Sequence, residues 1–344
     1  MENLPPLPTE QLMIDKLPEL PGNSALVISP GRSQMADALL ESRGYQQVTA
    51  FYIDLFSAAM ASQSVSPKVN VVCAADLPQG DLDLVAIPVL KKSESELTRD
   101  MMQQAHQLLK VGGYLAMSVD HAGDKWVHEQ MQSLFPKVSC DRSSSGCVYW
   151  SKKTEPLKKL KCFDAEFVFR DGQHLIKAIS RPGVFAHRRV DGGARQLIES
   201  AEIGTTDHVL DMGCGVGTIS LAAALRTQGL VHSVDSNARA IDCVQRSAAL
   251  NGLTNIVGHL NADGQLDLPQ PVDVALANPP YFGDDAISQH FVDVCTEHMT
   301  PVGALLVVTK SPRWYHAYFE NKLEDIAIFE SGSYYVCCGR KPIA

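Results

Sequence analysis

An α/β fold in two tandem copies follows from three features of this 344-residue chain. Short apolar runs alternate with stretches of helical periodicity, which predicts mostly parallel sheets covered by helices on both faces. The alternation runs through residues 24–150 and returns after residue 200. The two halves also align with each other. Asp81 to Leu90 (DLDLVAIPVL) falls on Val272 to Tyr281 (VDVALANPPY), and Val111 to Leu115 (VGGYL) on Val302 to Leu306 (VGALL), both at an offset of 191 residues. An offset held constant across an intervening helix favours duplication over chance patterning.

In the first half, Ala25 to Ile28 is a strand, followed by a turn at Ser29-Pro30-Gly31 and a helix from Met35 to Glu41. Val69 to Cys73 and Leu82 to Ile87 are further strands. Glu94 to Leu109 has helical periodicity and is closed by Gly112-Gly113 before the strand Tyr114 to Val119. Between the halves, Phe163 to Phe169 and His174 to Ile179 form a hairpin turning at Asp171-Gly172. Arg181-Pro182-Gly183-Val184-Phe185 then leads through Asp191 into a helix, Gly193 to Ser200. The expected domains are therefore residues 1–150, a basic linker and hairpin at 151–180, and a second domain at 181–344.

Hydrophobic content of 45% and charged content of 20% describe a globular chain with no apolar run of membrane-spanning length. The acidic, proline-bearing start has neither signal-peptide nor transit-peptide character. Nine cysteines without a C-x-x-C pair or histidines at zinc spacing argue for no metal and for a reduced, cytoplasmic setting. The net charge of −9 is unevenly spread. Residues 151–195 carry 11 basic and 5 acidic side chains, so the positive excess sits in one segment. Local charge, not the total, governs contact with phosphates.

The stretch Asp211-Met212-Gly213-Cys214-Gly215-Val216-Gly217-Thr218 lies between an apolar run and an Ala-rich helical run. Strand, glycine turn and helix is the order that grips nucleotide-like cofactors, with glycines expected to let the backbone approach the ligand. Asp235, with Ser236 beside it, ends the next apolar run about 20 residues on, where an acid serves either ribose hydroxyls or solvent. Asn278-Pro279-Pro280-Tyr281 follows a third run, Val272 to Ala277. The loop is G-x-G-x-G rather than the dinucleotide G-x-G-x-x-G.

These residues resemble the Rossmann-like class I S-adenosylmethionine-dependent methyltransferases that act on planar, conjugated nitrogens. The order of a degenerate first copy, a hairpin, Pro-Gly-Val-Phe, Asp-x-Gly before a helix and Asn-Pro-Pro-aromatic narrows this. It is similar to the bacterial ribosomal-RNA guanine-N2 methyltransferases with two tandem halves, over nearly the whole chain. One departure is Tyr281 followed by Phe282-Gly283, where members of that family often carry Phe then His.

The resemblance implies S-adenosylmethionine as cofactor, ribosomal RNA or a partly assembled ribosomal subunit as partner, and a monomer. It makes Asp211, Gly213, Cys214, Gly215, Gly217, Asp235, Ser236 and Asp263 cofactor residues, with Phe185 and Asp191 closing over the ligand. The catalytic set is Asn278, Pro279, Pro280 and Tyr281. An exocyclic amine on a base is a poor nucleophile because its lone pair is delocalised. Acceptors preset around its hydrogens, the Asn278 side-chain oxygen and the Pro279 carbonyl, favour a pyramidal nitrogen, and Tyr281 can stack on the base. Protein glutamine-N5 methylation uses the same motif on an amide, and a non-catalytic RNA-binding or assembly module is the third alternative.

In the first copy, Ile28-Ser29-Pro30-Gly31-Arg32 stands opposite Asp211 to Gly215, and Ile87-Pro88-Val89-Leu90 opposite Asn278 to Tyr281. Proline removes an amide donor and the second stretch keeps no side-chain acceptor, so this half is expected to be catalytically inactive. Lys152, Lys153, Lys158, Lys159 and Lys161, with Arg188 and Arg189, either meet RNA phosphates or keep a linker solvated.

Overall fold

The structure, a computed structural model, describes residues 5–280 and 285–343. Two compact units comprise Met1–Phe163 and Asp164–Ala344. The first runs α1 (Pro8–Lys16), β1 (Ser24–Ile28), α2 (Gln34–Ser42), β2 (Gln47–Tyr52), α3 (Leu55–Ser62) and β3 (Asn70–Cys73). It continues with β4 (Leu82–Val89), α4 (Ser95–Leu108), β5 (Leu109–Val119), α5 (Trp126–Leu134), β6 (Ser139–Ser143) and β7 (Gly146–Lys152).

The second opens with β8 (Ala165–Asp171) and β9 (His174–Ser180), then α6 (Gly192–Ser200), β10 (Val209–Met212) and α7 (Thr218–Arg226). Next come β11 (Val231–Asp235), α8 (Ala238–Leu250), β12 (Ile256–Leu260) and β13 (Val272–Ala277). It closes with α9 (Asp285–His298), β14 (Met299–Thr309), α10 (Pro312–Phe319), β15 (Glu324–Ser331) and β16 (Tyr334–Arg340).

Each unit holds one seven-stranded sheet, and the strand orders coincide: β3-β2-β1-β4-β5-β7-β6 and β12-β11-β10-β13-β14-β16-β15. The first five strands of each are parallel, and the last two add antiparallel. Central strands with helices on both faces are buried on both sides, and all four residues of β10 are buried.

The register refines the alignment of the halves. Leu26 pairs with Val85 in one sheet and Asp211 with Leu276 in the other. Val85 and Leu276 stand 191 residues apart, so Leu26, not Ile28, is the counterpart of Asp211. Ile28-Ser29-Pro30 consequently answers Gly213-Cys214-Gly215, and Pro30 occupies the place of Gly215.

The unit boundary also differs from the expected one. β7 carries the first sheet through Lys152, and the hairpin is part of the second unit rather than of a linker. The hairpin turns at Gly172, whose φ of +55° suits a two-residue hairpin turn. It docks on α8: Ile179 N donates to Ser247 Oγ at 2.8 Å, and Lys177 N to Asn251 Oδ1 at 3.0 Å. Phe169, Ile176 and Ala178 are thereby buried in one cluster with Leu197 and Ile198 of α6.

Candidate active site

Strand pairing brings the three sequence motifs together. Met212 of β10 pairs with Val234 of β11 on one side and Ala277 of β13 on the other. The glycine loop, Asp235 and Asn278 therefore leave the sheet at one level, at the carboxyl ends of adjacent strands. Ligands bind at that edge of open α/β sheets.

The loop glycines all have positive φ: +74° at Gly213, +53° at Gly215 and +82° at Gly217. The sequence suggested that they open space for a ligand, but in the structure each admits a protein neighbour. A Cβ on Gly213 would lie 2.7 Å from the Phe291 ring, and one on Gly217 2.6 Å from Val244 Cγ2. One on Gly215 would lie 2.1 Å from the Phe185 carbonyl oxygen. The Cys214 side chain is buried with Ile241 and Val244, and burial pushes its thiol well above the usual range. Cys214 thus offers the loop its backbone, not its sulfur.

The segment from Arg181 to Asp191 laces the site. Phe185 O accepts from Val216 N at 3.0 Å. Gly183 O accepts from Asn237 Nδ2 at 2.7 Å, and Pro182 O from Arg239 Nη1 at 2.9 Å. Asn237 also caps α8 by accepting from Arg239 N at 2.9 Å. Sequence reasoning passed over Asn237 and Arg239. The available signal was a cap-type residue directly after Asp235-Ser236 and before an amphipathic helix. Phe185 is 61% exposed, so it stands outside the core.

Asp235 is half-buried, with Oδ2 accepting from Gly215 N and Oδ1 from Asn237 N, each at 2.8 Å. It holds the loop and the next helix in place at the strand end. Ser236 is half-buried in the turn between them. Asp263 sits in an exposed turn, where bonds from Gln265 N and Asn261 Nδ2, both 3.0 Å, hold its pKa below the ordinary value.

Asp211 is fully buried, and its Oδ2 accepts from Ser220 N at 2.9 Å and from Ser220 Oγ at 2.5 Å. Its Oδ1 has no hydrogen-bond partner among the described residues. Desolvation outweighs the Ser220 bonds and raises its pKa to about 7. It fastens the start of α7 to the sheet.

Asn278, Pro279 and Pro280 follow β13, with Asn278 half-buried, Pro279 buried and Pro280 exposed. Asn278 Nδ2 donates to Asp191 Oδ2 at 3.0 Å. That same oxygen caps α6, accepting from Gly193 N at 2.9 Å and Ala194 N at 3.2 Å. Asp191 thus ties the start of α6 to the turn after β13. Tyr281 lies outside the described residues.

A nucleoside with a charged tail fits these groups. Gly217, at the start of α7, offers no side-chain cap, an acid stands at the end of β11, and an exposed aromatic ring stands beside the loop. Among the described residues no cluster of three or more His, Cys, Asp or Glu is arranged to hold a metal ion. No described helix is long and apolar enough to cross a membrane.

The methyltransferase small domain matches residues 176–338, which include all of these elements. The second unit is a methyltransferase domain. The ribosomal RNA small subunit methyltransferase C of Pseudoalteromonas translucida is 26% identical to this methyltransferase, over 90% of the chain and 93% of the relative. That of Acinetobacter baylyi is 25% identical over 82% and 84%. Among solved structures, the fold is similar to a T. thermophilus 16S rRNA N2 methyltransferase (RsmC) in complex with AdoMet and guanosine. The TM-score is 0.81, with 20% identity, covering 97% of this chain and 92% of that one.

The structure separates the lysines that the sequence grouped. Lys153 of the methyltransferase is buried, and its ammonium donates to the carbonyls of His106 at 2.7 Å, Gln107 at 3.3 Å and Leu109 at 2.6 Å. It caps the end of α4 and is withdrawn from any RNA-facing surface. Lys341 does the same in the second unit, donating to Glu297 O at 3.2 Å and Met299 O at 2.9 Å. Lys152, Lys158, Lys159 and Lys161 are exposed. The last three line, with Arg99, a cleft of about 370 Å³ in the first unit. Arg188 and Arg189 are exposed in the second.

Proposed function

We propose that this chain transfers a methyl group from S-adenosylmethionine to the exocyclic N2 of a guanine in ribosomal RNA, acting as a cytoplasmic monomer. The observation that carries it is the position of Asn278. It leaves the sheet on the strand beside the glycine loop, with its amide nitrogen committed to Asp191. The names of the relatives supply the RNA and the base. When bound, the cofactor supplies an electrophilic methyl; the chain's own residues orient the acceptor nitrogen and keep the partners in line. The Asn278 carbonyl and the Pro279 carbonyl accept from the exocyclic amine, and Tyr281 stacks on the base. Asp235 and the loop backbone hold the cofactor side, with Phe185 and Asp263 at its rim. Such preset acceptors act by orientation and electrostatics, without a covalent intermediate.

In this proposal the first unit is inactive, and the exposed basic residues hold the RNA backbone. Incorporation of labelled methyl into ribosomal RNA or small subunits, with a release-factor protein as the competing substrate, tests the reaction. Label at guanine N2 is the expected result; label confined to protein glutamine, or none, overturns it. Changing Lys152, Lys158, Lys159 and Lys161 together to Ser should weaken RNA binding and flatten its salt dependence, by roughly 0.7 in slope per lost single-strand phosphate contact. An unchanged slope removes these lysines from the interface and leaves Arg188 and Arg189.

A further inference from the structure

We infer that Asp191 is a positioning residue for Asn278, setting which end of its amide faces the substrate nitrogen. The inference rests on the methyltransferase assignment proposed above. A carboxamide has two chemically opposite ends. Its oxygen accepts hydrogen bonds and its nitrogen donates them. Rotation of the amide by half a turn would present donors to a substrate amine that itself needs acceptors. A side chain at the end of a strand does not by itself choose between the two orientations.

Asp191 makes the choice. Its carboxylate only accepts hydrogen bonds, so the group of Asn278 that lies 3.0 Å from it is the NH2, and the Asn278 oxygen points away. The choice does not depend on how the two amide atoms are distinguished, because an oxygen placed against the carboxylate would repel it.

The carboxylate is itself fixed. Asp191 is the N-cap of α6, and the oxygen that holds Asn278 also receives Gly193 N at 2.9 Å and Ala194 N at 3.2 Å. Three donors converge on one oxygen, two of them from the backbone of a helix packed on β14 and β16. The positive end of the helix dipole favours negative charge there. Asp191 therefore has no freedom to follow Asn278 if the latter turns; Asn278 is aligned to the helix. The two residues are 87 positions apart.

The substitution that isolates this role is Asp191→Ser. Serine is an equally good N-cap, so α6 keeps its start, but its shorter side chain withdraws the carboxylate from Asn278. We expect turnover on ribosomal RNA to fall about 10- to 100-fold, with the affinity for S-adenosylmethionine and the melting temperature nearly unchanged. In the Asn278→Ala background the same substitution should have almost no further effect on turnover, because there is no amide left to orient. A change below threefold in the single variant, or independent losses in the double variant, would overturn the inference. An equal loss of cofactor affinity would also overturn it and return Asp191 to the cofactor pocket. The wild-type reaction run alongside keeps the two failures apart. No methylation by the wild type defeats the assignment itself, whereas an active wild type with an equally active Asp191→Ser variant defeats only the role of Asp191.

Discussion

The two units share one frame and treat the same corner of it in opposite ways. In the second unit a strand carboxylate, Asp211, receives Ser220 N at the start of α7, at 2.9 Å. In the first, the equivalent strand residue is Leu26, and the task passes to a helix. Glu10 of α1 reaches in, and its Oε1 accepts from Met35 N at 3.0 Å. Tyr52 then occupies the turn, sharing a 2.6 Å hydrogen bond with Ser33 and donating to Gly31 O at 2.9 Å. Leu7 packs where a Cβ on Gly31 would stand, 2.8 Å away. What differs is not the fold but which element meets the loop's polar needs, the strand itself or a helix packed on the sheet. A cleft of about 220 Å³ lined by Ser29, Pro30, Tyr52, Asp54 and Pro88 remains at this corner of the first unit. The counterpart of α1 by its packing partners is α6, whose cap instead serves Asn278.

The sharpest way to break this comparison is to crowd both loops. Gly215→Val should abolish cofactor binding, because its Cβ would lie 2.1 Å from the Phe185 carbonyl and force the lacing segment off the loop. Gly31→Val meets the side chain of Leu7, with Glu10 Oε2 3.4 Å away, and should leave one cofactor per chain. Calorimetry giving wild-type affinity for a folded Gly215→Val protein, or two cofactors in the wild type, would undo the distinction.

Next in size is the cost of the carboxylate beneath the loop. Burial raises the pKa of Asp211 from 3.8 to about 7. The folded protein therefore keeps a proton that the unfolded chain releases, and stability is lost as pH rises between those values. Denaturant titrations of wild type and Asp211→Asn, compared from pH 4 to 7, should diverge by on the order of 4 kcal/mol in favour of the variant. Parallel pH curves would show that Asp211 ionises normally.

Removing the acceptor tests the chemistry of the second unit alone. Asn278→Ala should cost turnover by about 2.7–4 kcal/mol, the range for one preset oxyanion-hole partner, or roughly two to three orders of magnitude. Cofactor affinity should hold. A loss below threefold in single-turnover assays would take Asn278 off the catalytic list.

The smallest effect should be the same in both units. Lys153→Ala and Lys341→Ala each remove an ammonium from helix-end carbonyls, at a cost of about 1.5–3 kcal/mol for charge-assisted hydrogen bonds. Thermal unfolding should register both variants, while the salt dependence of RNA binding stays at the wild-type slope. A flattened slope in Lys153→Ala would return that residue to the RNA surface.

Periodicity carried much of this architecture, because strands such as Val272–Ala277 are apolar but for Asp273 and bounded by turn residues. The motif residues could be named for the same reason: each follows such a strand. Long-range polar pairing stayed hidden. Asp191 and Asn278 are 87 residues apart, and no local pattern distinguishes a helix cap that holds only its helix from one that also holds a distant amide. Lys153 was masked differently. It stands in a run of lysines whose other members are exposed, and only the position of the last α4 carbonyls singles it out. Residues 213–217 do form the turn between β10 and α7, but their spacing says nothing about whether a neighbour is ligand or protein. Phe291, Phe185 and Val244 fill those places from three other segments.

The hairpin at the start of the second unit decides where this chain tolerates being cut. Its inner residues Phe169, Ile176 and Ala178 complete a cluster with α6, and its edge is stitched to Ser247 and Asn251. Arg226 adds a two-point clasp on Asp171, at 2.8 and 2.6 Å. A protease nick near Phe163 would leave that cluster whole. A nick at Ser180, where the sequence alone places the domain border, would strip an apolar face from the second unit and leave the fragment prone to aggregate.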